Sequence, residues 1–230
     1  MRLILVRHGR TEANVMQALD TAFPGNPLDE VGLEQADGLP DRLDKAGLLH
    51  GLGSLWVSPI LRARQTIAPI EAATGLSATV DSGLREVLAA DLEMNTDARS
   101  VACYVDTTRA WMAGRLAARI PGSLEDGHDS LARFDGAVRA IAEHAANEAP
   151  EGGRGGGAAL LVSHGTVLRL WTSLRAAAGG GADPLWVAEH PLRNTGIAVA
   201  EGGPEEGWRL LDWNDGAWRV AGAEPPVPRW

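Results

Sequence analysis

The sequence predicts an α/β sandwich with a largely parallel sheet. Three observations carry that prediction. Residues 3–6, 55–57 and 160–162 are short, continuous apolar runs, the pattern of strands covered on both faces. Segments with the 3.6-residue period of a helix lie between them. The two kinds of segment alternate along the chain, which places helices against a sheet rather than in a separate bundle.

Taken in order, residues 3–6 give the first strand, and residues 11–19 can then be helical. Residues 33–46 carry helical spacing at Leu33, Ala36, Leu39 and Leu43, interrupted by Pro40. Residues 55–57 are the second strand. Residues 61–74 form a helix stopped at Gly75, and residues 78–80 make a short strand. Leu131, Phe134, Val138, Ile141 and Ala145 draw a helical stripe across residues 129–148, with Asp129 or Ser130 as the capping residue. Residues 160–162 give the third buried strand, and a helix follows over residues 166–177. Residues 197–200 and 209–212 are the last strands. The Gly-rich stretch 150–157 and the loop 179–184 do not separate independent cores, because strand and helix continue across them. One domain over residues 1–223 is expected, with a Pro-rich tail over 224–230.

The 230 residues are 45% hydrophobic and 22% charged. That balance excludes a disordered chain, a collagen-like chain and a coiled coil. The net charge is −9, which disfavours binding to nucleic acid. Of the 21 basic residues only Lys45 is a lysine, so the remaining 20 are arginines. Genomic base composition accounts for most of that bias, although arginines are also the rigid forks suited to oxyanions. Cys103 is the only cysteine, so neither an internal disulfide nor a cysteine metal cluster is expected. No apolar run approaches membrane length, and residues 3–6 are too short for a secretion signal. A cytoplasmic protein with no membrane partner is the expectation. A homo-oligomer is compatible with the sequence, which does not specify one. Trp56 and Trp171 are expected in the core, and Trp213, Trp218 and Trp230 in C-terminal packing or the tail.

In parallel sheets, ligands collect at the carboxyl ends of the strands. Three such ends carry unusual residues here. The first gives Arg7-His8-Gly9, followed by Thr11 and Asn14. The second gives Ser58-Pro59, with Arg62 in the next helical turn. The third gives Ser163-His164-Gly165-Thr166. Two histidines and two arginines would share one crevice.

These segments resemble the signatures of the histidine phosphatase superfamily, in its phosphoglycerate-mutase-like branch. Arg7-His8-Gly9-Arg10-Thr11-Glu12-Ala13-Asn14 is similar to its RHGxTxxN motif. Pro27-Leu28-Asp29, Gly32 and Gln35-Ala36 follow its next stretch, and Ser58-Pro59-Ile60-Leu61-Arg62-Ala63-Arg64-Gln65-Thr66 the one after. Leu84-Arg85-Glu86 and Val162-Ser163-His164-Gly165 complete the order. The resemblance implies a three-layer α/β/α sandwich of phosphoglycerate-mutase-like type.

It also implies roles. His8 would attack phosphorus through a neutral ring nitrogen and form a phosphohistidine. Arg7 and Arg62 would clamp the phosphoryl oxygens, and Asn14 would add an amide donor. His164 would donate to the phosphoryl group and balance its charge. The N–H groups of Gly165 and its neighbours would add an anion-binding helix end. Glu86 would be the general acid and base, with Asp91 and Glu93 as nearby alternatives. Arg85 could instead pair with Glu86. Arg10 and His128 are solvated loop residues or substrate contacts.

The resulting expectation is a phosphatase for small phosphorylated metabolites. It needs no cofactor and no metal. A phosphoglycerate-type mutase is the alternative, disfavoured because residues 93–122 lack the long basic insertion typical of mutases. A two-histidine, one-carboxylate metal site from His8, His164 and Glu86 is disfavoured because two arginines aimed at it would repel a cation. A non-catalytic binding protein is disfavoured by retention of every reactive residue type.

Overall fold

The computed structural model describes residues 1–148, 157–180, 182–216 and 218–219. The expected tail 224–230, most of the Gly-rich stretch 150–157, and the side chains of Trp218 and Trp230 lie outside the described residues.

The strands are β1 (Arg2–Arg7), β2 (Leu52–Val57), β3 (Ala78–Val80), β4 (Ala158–Ser163), β5 (Ile197–Gly203), β6 (Gly207–Trp213) and β7 (Trp218–Arg219). They form one sheet in the order β3-β2-β4-β1-β5-β6-β7. The pairings from β3 across to β1 are parallel, and those from β1 outward to β7 are antiparallel. The sheet is therefore mixed, and its parallel half carries the strand ends of interest.

Burial explains why β1 and β4 read as continuous apolar runs. Successive side chains on a strand point to opposite faces. Leu3 and Leu5 join one core with Leu161, Phe134, Val138 and Trp171, while Ile4 and Val6 join the other with Val162, Leu43, Ile67 and Ile70. The first core holds helices α5 (Ala98–Met112), α6 (Gly127–Asn147), α7 (Gly165–Trp171) and α8 (Pro184–Glu189). The second holds α3 (Leu39–Lys45) and α4 (Leu61–Thr74). Helices on both faces make the three-layer sandwich.

Several boundaries differ from the sequence reading for local reasons. The segment after β1 yields only α1 (Glu12–Val15), closed by a reciprocal cap between Thr11 and Asn14. The 33–46 pattern is two helices, α2 (Glu30–Asp37) and α3, with Gly38 between them and Pro40 in the first turn of α3, where its missing N–H costs nothing. The cap of α6 is Asp126, not Asp129 or Ser130; Asp129 is its reciprocal partner three residues on. Helix α4 ends at Gly75, whose φ of 72° is left-handed. Beyond α7, residues Thr172–Ala177 continue with wider π turns. Helix α5 has no counterpart in the sequence reading. Its buried stripe is Tyr104, Thr108, Trp111 and Met112, and a threonine in that stripe blurs the apolar period. Thr108 satisfies its hydroxyl on the Tyr104 carbonyl at 3.0 Å. Trp56 and Trp171 are core residues as expected, and Trp111, Trp208 and Trp213 join them.

Phe134 is fully buried between α6 and the sheet, and its ring lies 5.8 Å from that of Trp171. Phe134→Ala is expected to cost about 3–5 kcal/mol of stability. The shift of the urea midpoint measures it, and a loss below about 1 kcal/mol would contradict this packing.

Candidate active site

Register brings three strand ends to one level. Val6 of β1 and Val57 of β2 both stand opposite Val162 of β4. The chain then leaves each strand with matching bonds: His8 N–H to the Ser163 carbonyl at 3.0 Å, and Ser58 N–H to the Val162 carbonyl at 3.0 Å. Arg7, His8, Ser58 and His164 thus emerge side by side.

The turn after His8 admits only glycine. A Cβ on Gly9 would sit 2.7 Å from the Gly32 carbonyl oxygen, and one on Gly32 would collide with the Arg10 backbone. The two motif glycines therefore mark one close approach between this turn and α2. Gly9 N–H donates to Thr66 Oγ1 at 2.9 Å, and Thr66 Oγ1 donates to the Arg62 carbonyl at 2.7 Å. This relay fixes the start of α4 against His8.

His8 is buried, and both ring nitrogens are engaged. Nδ1 meets the Gly9 carbonyl at 2.7 Å, and Arg62 Nε donates to Nε2 at 3.1 Å. A carbonyl only accepts and a guanidinium only donates. Nδ1 therefore carries the proton and Nε2 the lone pair. Burial above all, then the charges of Arg62 and Arg7, hold the imidazole well below its ordinary pKa. The ring is neutral at neutral pH, with its nucleophilic nitrogen facing a guanidinium.

Arg62 is held in turn by Asp20, through Nη1 to Oδ2 at 3.3 Å and Nη2 to the carbonyl at 2.9 Å. Arg7 donates to the Leu192 carbonyl at 2.6 Å, and its buried Nε has no partner among the described residues. Burial lowers the Arg7 guanidinium to about 10, so it remains charged at neutral pH. A Cβ on Gly165 would approach that Nε to 3.2 Å, so glycine there keeps the donor reachable. Asn14 Oδ1 accepts from Thr11 N–H and from Asn194 Nδ2, which leaves its amide NH₂ for an acceptor.

Glu86 lies in the loop after β3. Its Oε1 accepts from the N–H groups of Val87 and Val167 at 2.9 Å each, and Oε2 accepts from Thr166 N–H at 3.0 Å. The first turn of α7 therefore serves the carboxylate itself rather than an outside anion, and Gly165 N–H is the donor left over. Arg85 pairs with Glu125, not with Glu86. Glu93 is tied to the backbone and hydroxyl of Thr21 and to Ala22 N–H. Arg10 pairs with Asp29 at 2.8 Å, and His128 is exposed on α6.

A cavity of about 500 Å³ collects Arg7, His8, Asn14, Arg62, Glu86 and Gly165. His164 stands behind it, fully buried, with its ring centroid 5.2 Å from that of His8. Its Nε2 meets Ser58 Oγ at 2.7 Å, and Nδ1 has no partner among the described residues. Burial and then Arg62 push its pKa well below the ordinary value, so the local positive charge comes from the arginines. The sequence reading missed Asp20 and Asn194 and gave Thr66, part of the Ser58-to-Thr66 stretch, no role; all three hold the site together. It also missed Arg109 and Arg169, which line the same cavity. Arg169 follows Gly165 by four residues, one helical turn, a spacing hidden among 20 arginines. Among the described residues, no group of three or more His, Cys, Asp or Glu side chains is placed to hold a metal ion.

This site and fold are those of a phosphate-transferring α/β enzyme class. The chain matches the Histidine phosphatase superfamily (branch 1) over residues 3–216, and it belongs to that family. It is 30% identical over 215 residues to the PE-PGRS family protein PE_PGRS11 of Mycobacterium tuberculosis. That match takes in 91% of this chain but 35% of the relative, so the chain spans about a third of that protein's length. It is 27% identical over 222 residues to the probable phosphoglycerate mutase GpmB of Salmonella arizonae, covering 96% of this chain and 89% of that one. Among solved structures, the native mycobacterial glucosyl-3-phosphoglycerate phosphatase superposes with a TM-score of 0.71. The two are 26% identical, and the alignment covers 93% of this chain and 98% of the other. No helix among the described residues is long and apolar enough to cross a membrane.

The depressed pKa values of His8 and His164 have a consequence for stability. In the unfolded chain both protonate near 6.5, while in the fold they stay neutral. Below pH 6.5 the unfolded state binds more protons, so stability falls as pH falls through that value. Urea midpoints at pH 7.5 and pH 5.5 are expected to drop at the lower pH, and less so in His8→Asn. Equal midpoints at both pH values would contradict neutral buried rings.

Proposed function

We propose that this chain is a phosphatase that hydrolyses small phosphomonoesters through a phosphohistidine on His8. The observation that carries the proposal is the orientation of His8. Its protonated Nδ1 is held by the Gly9 carbonyl, and its Nε2 lone pair opens toward Arg62 and the cavity.

In the first step the phosphoryl oxygens take the guanidinium donors of Arg7 and Arg62, the Asn14 amide and Gly165 N–H. Arg62 Nε then bonds phosphate instead of His8 Nε2, and the nitrogen is released to attack. The N–P bond forms as the bond from phosphorus to the ester oxygen breaks, and Glu86 gives its proton to the departing alkoxide. One lone pair on Glu86 Oε2 is left by the backbone contacts, and it is the place for that proton. In the second step water attacks phosphorus, Glu86 takes the water's proton, and the electron pair of the N–P bond returns to Nε2. Inorganic phosphate leaves. His164, buried behind His8 with its Nδ1 unpartnered among the described residues, keeps in this reading the second-histidine role of donating to the phosphoryl group. The arginines supply the charge stabilisation that phosphoryl transfer mainly requires.

Residues 1–223 act as one domain in this reading, and the lone Cys103 suits a reducing, cytoplasmic setting. Resemblance to the mycobacterial phosphatase supports hydrolysis, and resemblance to the probable mutase supports the alternative in which phosphate returns to substrate. Incubation with 3-phosphoglycerate separates them: phosphate release supports hydrolysis, and isomerisation with negligible release overturns it.

His8→Ala is expected to lower hydrolysis of 4-nitrophenyl phosphate to below about a thousandth of the wild-type rate. EDTA is expected to leave the wild-type rate unchanged. Substantial activity in the variant, or loss in EDTA, would sink the mechanism. Glu86→Gln should slow an alkyl phosphate by about 10²–10⁴. It should slow 4-nitrophenyl phosphate less, since nitrophenolate leaves without a proton. Equal losses on both esters would remove Glu86 from the acid's role.

A further inference from the structure

The cavity contains more positive charge than one phosphoryl group requires. Arg7 and Arg62 face His8 and are each tied to the protein, Arg7 to the Leu192 carbonyl and Arg62 to Asp20. Arg169 of α7 and Arg109 of α5 line the same cavity. Among the described residues, neither guanidinium has a hydrogen bond or an ion pair. Arg169 Nε is buried without a partner. A largely buried, unpaired guanidinium is costly unless an anion balances it. The Glu86 charge bears on Arg169, but its carboxylate bonds backbone N–H groups and neither guanidinium, and Glu189, on the same rim, is exposed and pairs with neither arginine.

The placement of the two arginines indicates where the balancing group belongs. Arg169 lies three residues beyond Thr166 and four beyond Gly165. Neighbours at that spacing share a helix face, and the rise along the axis is roughly 5–6 Å. Thr166 N–H holds Glu86, so Arg169 stands one turn beyond the group that meets the leaving oxygen. Arg109 comes from the opposite wall, with Tyr104 and Val105 of α5 beside it. Burial above all lowers Arg169, the Glu86 charge raises it and Arg109 lowers it, while Arg169 in turn lowers Arg7, so the arginines act on one another as close like charges. A volume of about 500 Å³ exceeds the needs of phosphate alone.

We infer that Arg109 and Arg169 form a second anion subsite, and that the substrate is a small phosphomonoester bearing another anionic group on its leaving-group side. The subsite rests on the phosphatase reading for its biological meaning. A carboxylate or a second phosphate satisfies the same chemistry, because a guanidinium fork accommodates either.

Two matched probe pairs decide between these sources. 3-Phosphoglycerate and glycerol 3-phosphate differ by a carboxylate in place of a hydroxymethyl group. 1,3-Propanediol bisphosphate and 3-hydroxypropyl phosphate differ by the second phosphate. Binding is measured by calorimetry on the full chain carrying His8→Ala, so that no probe is consumed. The doubly anionic member of at least one pair is expected to bind tenfold or more tightly than its partner. Whichever pair shows the larger preference identifies the second group. Arg169→Gln should cut that preference at least threefold. Arg109→Gln, a change on the exposed side of α5, should do the same if the buried variant fails to fold. Equal affinities within both pairs would overturn the subsite. So would a preference that survives both substitutions, or an equal loss on all four probes. The binding measurement stands even if the wild-type chain releases no phosphate from any ester, a result that would defeat the phosphatase reading alone.

Discussion

The structure depends on one short contact sequence: Gly9 carbonyl, His8 imidazole, Arg62 guanidinium. A histidine in water divides its proton between two nitrogens and titrates near neutrality. Here an acceptor on one side and a donor on the other leave a single tautomer, and burial removes the titration. Each further feature near the strand ends maintains this line. The common level of β1, β2 and β4 brings the histidine to the start of α4. The mutual approach of Gly9 and Gly32 sets the turn that aims the carbonyl. Thr66 couples that turn to the helix carrying Arg62, and Asp20 keeps the guanidinium from collapsing onto the ring in another pose. Loss of any one of these contacts would loosen the nucleophile before it touched the sheet.

Charge follows the same economy. The chain is acidic as a whole, yet four of its arginines line one small cavity. A guanidinium in a low-dielectric cleft attracts a dianion far more strongly than one at the surface. The acidic exterior and the basic pocket are therefore compatible, since screening limits the exterior's reach to about a Debye length.

Much of this was legible in the residues. Apolar runs located β1, β2 and β4 because strands covered on both faces have no polar side to confuse the pattern. Gly75 marked the end of α4 because few other residues take a left-handed φ cheaply. Arg7, His8, Asn14, Arg62, Glu86 and Gly165 were picked out as a group, and they share a cavity. Other features were hidden for physical reasons. Helix α5 was missed because Thr108 occupies a core position by bonding its own helix backbone. Asp126 was passed over as a cap because Asp129, its reciprocal partner, carries the same side chain. Asp20 and Asn194 reach the site from distant loops, and local spacing says nothing about such contacts. The helix end at Gly165 was expected to serve phosphate, but two of its N–H groups orient Glu86.

That last contact has an evolutionary corollary. Helix α7 grips the acid with its first turn and presents Arg169 one turn later, so the helix is a single rigid part serving two tasks. Altering it to suit a new substrate would disturb the proton donor as well. Helix α5 buries Tyr104, whose hydroxyl donates to the Val87 carbonyl beside Glu86 at 2.9 Å, and carries Arg109 on its exposed side. Diversification of this scaffold is thus channelled: the exposed position of Arg109 on α5 can change while the chemical step stays intact, whereas Tyr104 and the first turn of α7 are bound to the acid's position.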